Sequence, residues 1–415
     1  MEDIYKVAAA MAVSLIIVGS ALHGVALHKR HDCNYILNKA KKELRIYVAD
    51  IPPAYANGTV GHYKPSVDEM HSYGAIGPLL SKRHDHWNTG WDMMVPWYIN
   101  QIETSQLRVH DAKHADIVFV PAVLSHGDHI QQRNFISEAA SFLPYLEYKP
   151  HLIVLGFPLF DKYYNKTLIS HKNIVVIAVG QRGGLPTDIV TTAYFSHVHW
   201  SRGSEKITRT FNADTVVNTK KLLAVGCFNV RLYDERTVLY EDCNSRDKCA
   251  YMNYTSALDA VPVFEAYTSA WYVLHPVGDF LTRSALYDTW MADAIPVIFQ
   301  PGYLEFLPFN DVLDYDKLVM HIPHREIVGE DRKNAVDLLE SSFNKADALK
   351  RIKYIHKVQN VFQYMLNPAH ELIRWDKRST LDPQDDTFTF TMKSVLRHIC
   401  RNSNITSNRR WDVCR

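Results

Sequence analysis

Short, uninterrupted runs of aliphatic and β-branched residues recur along the chain, and this restricts the fold more than any other feature. In the first half the runs are residues 45–49 (RIYVA), 115–120 (ADIVFV), 152–156 (LIVLG) and 174–179 (IVVIAV). In the second half they are 222–227 (LLAVGC), 270–274 (AWYVL), 296–299 (PVIF) and 318–322 (LVMHI). Runs that are apolar at consecutive rather than alternate positions read as parallel strands covered on both faces. Between them, 91–103, 135–148, 235–242 and 281–294 carry helical spacing, and 332–366 is mostly helical and charged. Two α/β domains joined near 205–220 follow, with a cleft between them in which a small ligand binds. At 415 residues the chain is long enough for two such cores.

Residues 7–27 form one further apolar run of another kind, 21 residues with no charge. As a helix it would span about 31 Å, the thickness of a bilayer core. The reading is a transmembrane signal-anchor behind a tail of residues 1–6, with 28–43 as a polar stem. A cleaved signal peptide and a soluble helix are the alternatives, and small-x-small cleavage sites are poor here. Orientation is contested. Lys29, Arg30, Lys39, Lys41 and Lys42 follow the run and only Lys6 precedes it, which puts the C-terminal side in the cytosol. Against this stand four Asn-x-Thr acceptor sites for glycosylation, at Asn57, Asn165, Asn253 and Asn404. Cys243/Cys249 and Cys400/Cys414 are also close pairs in polar sequence, as disulfides of a lumenal protein would be. The 46 basic residues are balanced by 45 acidic ones, which excludes a general nucleic-acid binder.

The stretch that carries chemistry is 275–284, HPVGDFLTRS. A strand ends before it and a helix opens near its end. Gly278 permits a tight turn, Asp279 or Thr282 can cap the helix, and Arg283 falls in the first helical turn. Free amide N–H groups, a hydroxyl and a guanidinium then converge as a phosphate site. One glycine in a strand–loop–helix also fits a plain capped helix with an exposed arginine. Histidine is abundant, at 21 residues, with H-x-H pairs at His84/His86 and His197/His199. So many histidines produce such pairs by chance, and no metal is expected.

Residues 269–299, SAWYVLHPVGDFLTRSALYDTWMADAIPVIF, resemble the most characteristic block of the exostosin family, glycosyltransferase family 47. That block runs approximately S-x-F-C-L-x-P-x-G-D-x-x-T-R-R, then G-C-I-P-V-I. The likeness continues in LPFN at 307–310 and LDY at 313–315, in LLAVGCFNVR at 222–231, in RIYVADIPPAY at 45–55 and in DAKHADIVFVP at 111–121. It thus covers roughly 44–325 in order. The departures are specific: Ser284 replaces the second arginine of T-R-R, Tyr272 and Ala294 replace two cysteines, and Asn310 replaces a glutamate. This resembles a divergent, single-module member.

The resemblance implies a GT-B architecture: two facing Rossmann-like domains, an acceptor domain over 44–215 and a nucleotide-sugar donor domain over 216–345, followed by a helical segment over 346–415. It implies a single-pass type II Golgi membrane protein with a lumenal catalytic region. The activity it implies is transfer of a sugar, with inversion, from a nucleotide-sugar, UDP-linked, to a polysaccharide or glycoprotein glycan. No cofactor is implied beyond that donor, and a partner transferase subunit is compatible with it. Gly278, Asp279, Thr282, Arg283 and Arg231 become the donor-binding candidates, with Asn310 and Asp311 near ribose or base. Asp288 is expected to brace the structure. The general base is expected from the N-terminal domain, where the loop after 115–120 concentrates His126, Asp128 and His129. A non-catalytic lumenal scaffold or glycan-binding protein is the alternative.

Overall fold

A computed structural model describes residues 44–56, 79–82, 86–87, 94–122, 124, 129–155, 171, 173–179, 189–200, 204–230, 234–253, 260–278, 282–310, 312–365 and 386–403. The segments 7–27 and 28–43 lie outside these residues. Among the described residues no helix is long and apolar enough to cross a membrane.

The fold is α/β, built on two parallel sheets of five strands. The first half contributes β1 (Ile46–Val48), a short antiparallel pair β2 (Leu79–Ser81) and β3 (His86–Trp87), then β4 (Ile117–Val120), β5 (His151–Leu155), β6 (Ile174–Ala178) and β7 (Ile189–Thr191). The N-terminal sheet has the order β1-β4-β5-β6-β7. Its central strands β4, β5 and β6 are buried on both faces, which is why their sequences are continuously apolar. Ile117, Phe119, Leu152 and Val154 point toward α1 (Met94–Glu103), which buries Trp97, Tyr98 and Ile102 against them. Val118, Val120, Ile153 and Leu155 point the other way, onto Phe135 and Ala139 of α2 (His129–Phe142).

The second half contributes α3 (Ala213–Thr219), β8 (Leu222–Cys227), α4 (Asp234–Asn244), β9 (Cys249–Met252), α5 (Ala260–Ser269) and β10 (Ala270–His275). After these come α6 (Ser284–Met291), β11 (Ile295–Ile298), β12 (Met320–His321), α7 (Ala335–Ser342) and α8 (Lys345–Val358). The sheet order is β12-β11-β10-β8-β9. β9 lies outside β8, and the chain then crosses back to β10 on the other side. The winding therefore reverses between β8 and β10, and in open α/β sheets the crevice at the carboxyl ends of such a strand pair is where ligands bind.

The C-terminal segment ties the halves together. Phe362 stacks on Trp290 of α6, with ring centroids 4.3 Å apart. Two residues on, Tyr364 stacks on Phe195 of the first half at 3.9 Å. Phe362 closes a short helical turn and Tyr364 follows it, so this stretch contacts both halves of the chain. The last helix, α9 (Thr387–Ser403), completes the junction: Phe388 packs on Tyr98 and Thr391 Oγ1 meets Thr192 Oγ1 at 2.7 Å. Cys243 and Cys249 are bonded as a disulfide that links the end of α4 to the start of β9. Cys400 lies in α9, and Cys414 lies outside the described residues.

Candidate active site

The loops that leave β8 and β10 are fastened to each other by the first turn of α4. Arg236 is buried; its Nε donates to Val277 O and its Nη1 to Asn229 O, each at 3.0 Å. Its neighbour Glu235, also buried, accepts from Val277 N–H at 2.9 Å. Both backbone groups of Val277 are therefore read by consecutive side chains. The other Glu235 oxygen takes a short hydrogen bond from the Gln300 amide and pairs with His324 at 3.3 Å. One carboxylate thus ties together the loops after β10, β11 and β12.

Gly278 sits where these ties converge. A Cβ placed there would lie 2.9 Å from Arg283 Cδ and 3.3 Å from Arg236 Nη2. Only a glycine lets two arginine side chains close over the turn. Arg283 is the N-cap of α6, in extended conformation, with no side-chain cap. It stands one residue before the helix begins rather than within the first turn. Thr282 does not cap the helix either: its hydroxyl donates to Val179 O at 3.2 Å, beyond the end of β6. The loop after β10 is thereby tied to the end of the N-terminal sheet's β6.

Beside this loop a small cleft, partly open to solvent, is lined by Arg283, Ser284, Ala285 and Asp288 of the α6 start, by Val263, Phe264 and Tyr267 of α5, by Cys227, and by His197 from the other half. Asp288 is buried across the domain boundary, where its Oδ1 accepts from Ser196 Oγ at 2.6 Å and from His197 N–H at 2.8 Å. Burial raises its pKa, opposed by the nearby His197 and by those two donors. The expected bracing role of Asp288 is what these contacts provide. Burial also pushes the Cys227 thiol up to about 12, against the Tyr267 hydrogen bond and the charge of Arg283, so it stays protonated. His275, whose Nε2 lies 2.9 Å from Thr289 Oγ1, is driven well below the usual imidazole range by burial and then by Arg283. Arg283 is consequently the cationic side chain on the described cleft wall, and the imidazole behind it is neutral.

The profile of the exostosin GT47 domain matches residues 40–337. The chain belongs to the exostosin GT47 family. Among curated relatives it is 29% identical over 171 residues to "Probable xyloglucan galactosyltransferase GT20" of Arabidopsis thaliana, covering 40% of this chain and 28% of that protein. It is 28% identical over 144 residues to "Xyloglucan galactosyltransferase MUR3" of the same plant, 34% of this chain and 21% of that one. It is 25% identical over 171 residues to "Xyloglucan-specific galacturonosyltransferase 1", 40% and 24%. The chain thus spans 21 to 28% of the length of these relatives.

Within this GT47 chain, Gly278, Thr282 and Arg283 come together at the β8/β10 reversal. Arg231 and Asp279 belong to the same two loops in sequence and lie outside the described residues, as does Asp311. Asn310 is exposed and donates to Glu305 O at 3.4 Å within its own turn. His126 and Asp128 lie outside the described residues; His129 opens α2. Asn253 is exposed just after β9, and Asn57, Asn165 and Asn404 lie outside the described residues. His199 Nδ1 is 3.0 Å from Tyr364 O, while His197 lines the cleft, so the pair serves two different places. Among the described residues no group of three His, Cys, Asp or Glu is arranged to hold a metal.

The sequence reading missed Glu235, Arg236 and the contacts of Ser196 and His197 with Asp288. A signal for the first pair existed. Glu235, Arg236, Leu239, Asp242 and Cys243 are the buried residues of α4, so two charges occupy the i−4 and i−3 positions before an apolar Leu239. Charges on the buried face of a helix mark partners elsewhere in the fold.

Proposed function

We propose that the protein is a glycosyltransferase that moves a sugar from a UDP-linked donor to a polysaccharide or glycoprotein glycan, with inversion. The observation that carries this reading is the placement of Arg283 after the carboxyl end of β10, packed against Gly278 and lining a cleft to which both halves contribute. The N-terminus of α6 offers backbone N–H groups, and Arg283 adds a cation beside them. Such an arrangement stabilises the diphosphate as negative charge builds on it during departure, in the place a divalent metal takes in other transferases. Arg231 and Asp279 would complete the donor loop, and Asn310 and Asp311 would flank the ribose or base. His126, Asp128 and His129 remain candidates for the base from the acceptor side. The names of the relatives support a polysaccharide acceptor, and xyloglucan oligosaccharides with UDP-galactose are the first pair to try. The run at 7–27 and the family support a type II Golgi membrane protein with a lumenal catalytic region.

A panel of UDP-galactose, UDP-glucose, UDP-xylose, UDP-arabinose, UDP-glucuronate and UDP-galacturonate, offered to the 31–415 fragment, tests the reading. One donor should raise the unfolding midpoint and release UDP when an acceptor glycan is added, in the presence of chelator. A protein that no donor stabilises and that releases no UDP is a scaffold instead.

A further inference from the structure

The geometry points to His197 as the base that takes the proton from the acceptor hydroxyl. This rests on the transferase reading and adds to it a catalytic residue from outside the 126–129 loop.

Four observations converge. His197 follows β7, so the N-terminal half carries it, yet it lines the cleft together with Arg283, Ser284 and Asp288 of the second half. It is 9% exposed, accessible from the cleft while shielded from bulk water. Its backbone is fixed on both sides. Phe195 stacks on Tyr364, Ser196 Oγ donates to Asp288 and accepts from Val198 N–H at 2.9 Å, and His199 is bonded to Tyr364 O. With neighbouring residues committed to the domain junction, residue 197 is held to present its ring at one spot, as a catalytic group must be. Lastly, the charges around it are suited to the task. The Asp288 carboxylate accepts from the His197 backbone N–H and feels the charge of its ring, and Arg283 lines the same cleft. A carboxylate beside an imidazole stabilises the imidazolium once the proton has moved. Asp288 is less fit to act itself, because Oδ1 is already shared by two donors. The remaining thiol on the wall, Cys227, is held protonated.

In the step assigned to it, the acceptor oxygen bonds to the anomeric carbon while the bond from that carbon to the diphosphate oxygen breaks. The electron pair leaves with the diphosphate, which Arg283 and the α6 N-terminus receive. The hydroxyl proton passes to a ring nitrogen of His197 and from there to water. Base and leaving-group site then line one cleft and come from the two halves of the chain.

The test compares wild type with His197→Gln and His197→Asn, two substitutions so that loss of folding in one does not decide the matter. UDP release is read with the donor that the panel selects, UDP binding is read by calorimetry, and folding by thermal unfolding. If wild type turns over no donor, the transferase reading fails first. If it does turn over, the variants should lose roughly 10²- to 10⁴-fold in turnover while UDP affinity stays within about threefold. The variants His126→Ala, Asp128→Ala and His129→Ala are assayed beside them. Turnover within about threefold of wild type in a folded His197 variant overturns the assignment, as does a parallel loss of UDP affinity or a loss of about 10² confined to the 126–129 variants.

Discussion

Arg283 lies directly across the Cα of Gly278: a methyl group added to that glycine would meet Arg283 Cδ at 2.9 Å. The second close atom is Arg236 Nη2, at 3.3 Å, and that guanidinium is fixed by two carbonyls. The flexible partner must therefore yield. Gly278→Ala should displace Arg283 and weaken UDP binding by about tenfold or more, with little change in the unfolding midpoint. Calorimetric titration of UDP, with a melting curve alongside, checks both parts.

Arg236 is expected to behave differently. Its removal frees the carbonyls of Val277 and Asn229 and opens a space between the two loops. Arg236→Ala should cost roughly 1–3 kcal/mol for each orphaned buried group and lower the unfolding midpoint as well as donor affinity. Retention of a wild-type midpoint by chemical denaturation would show that the ties between these loops contribute nothing.

Asp288→Ala removes the acceptor shared by Ser196 and His197 at the domain boundary. The loss should again be roughly 1–3 kcal/mol per donor left without a partner. Ser196→Ala leaves Val198 N–H without its acceptor but keeps the Asp288 bond to His197 N–H, and should be milder. Unfolding free energies of the two variants, compared directly, check the order.

Lys220 provides a pH signature. Its ammonium donates to Thr268 O at 2.9 Å, and burial lowers its pKa to about 7, against the opposing pull of Asp293. The unfolded chain keeps the ordinary lysine value of 10.5, so between these values it binds more protons than the folded one. Stability therefore rises with pH across that window, and the full penalty applies below about 7. Relative to Lys220→Met, wild type should gain up to about 1 kcal/mol per pH unit between roughly pH 7 and 9. A difference that stays flat across this range contradicts the assignment.

How far the sequence reaches is clearest at particular residues. Most strands of the two sheets were legible because burial on two faces leaves continuous apolar runs, and LLAVGC and AWYVL fall on β8 and β10, whereas the partly exposed edge strands β7 and β9 were not foreseen. The helix expected over 135–148 instead occupies His129–Phe142. Pro144 disfavours a helical residue before it, and Tyr145 adopts a φ of 60°. Leu143 and Leu146 are still buried, in turns, so the apolar period outlasts the helix. The strand expected over 318–322 shrinks to Met320–His321, because Tyr315–Leu318 forms a short helix. Tyr315 anchors it by donating to Pro308 O at 2.5 Å, a partner that local propensity does not contain. At the candidate site the sequence singled out Gly278, Thr282 and Arg283, but Thr282 bonds Val179 O instead of capping α6 and Arg283 stands before its first turn. The contacts of Ser196 and His197 with Asp288 were not legible, since they join residues tens of positions apart.

The central claim is that the donor diphosphate binds at the 276–283 loop, beside Arg283. Calorimetric titration of UDP into wild type and into folded Arg283→Ala tests it most directly. Loss of one charge-assisted contact costs roughly 1.5–3 kcal/mol, so UDP affinity should fall about 10- to 150-fold. Equal affinities in the two proteins, or a wild type that does not bind UDP at all, would contradict the account.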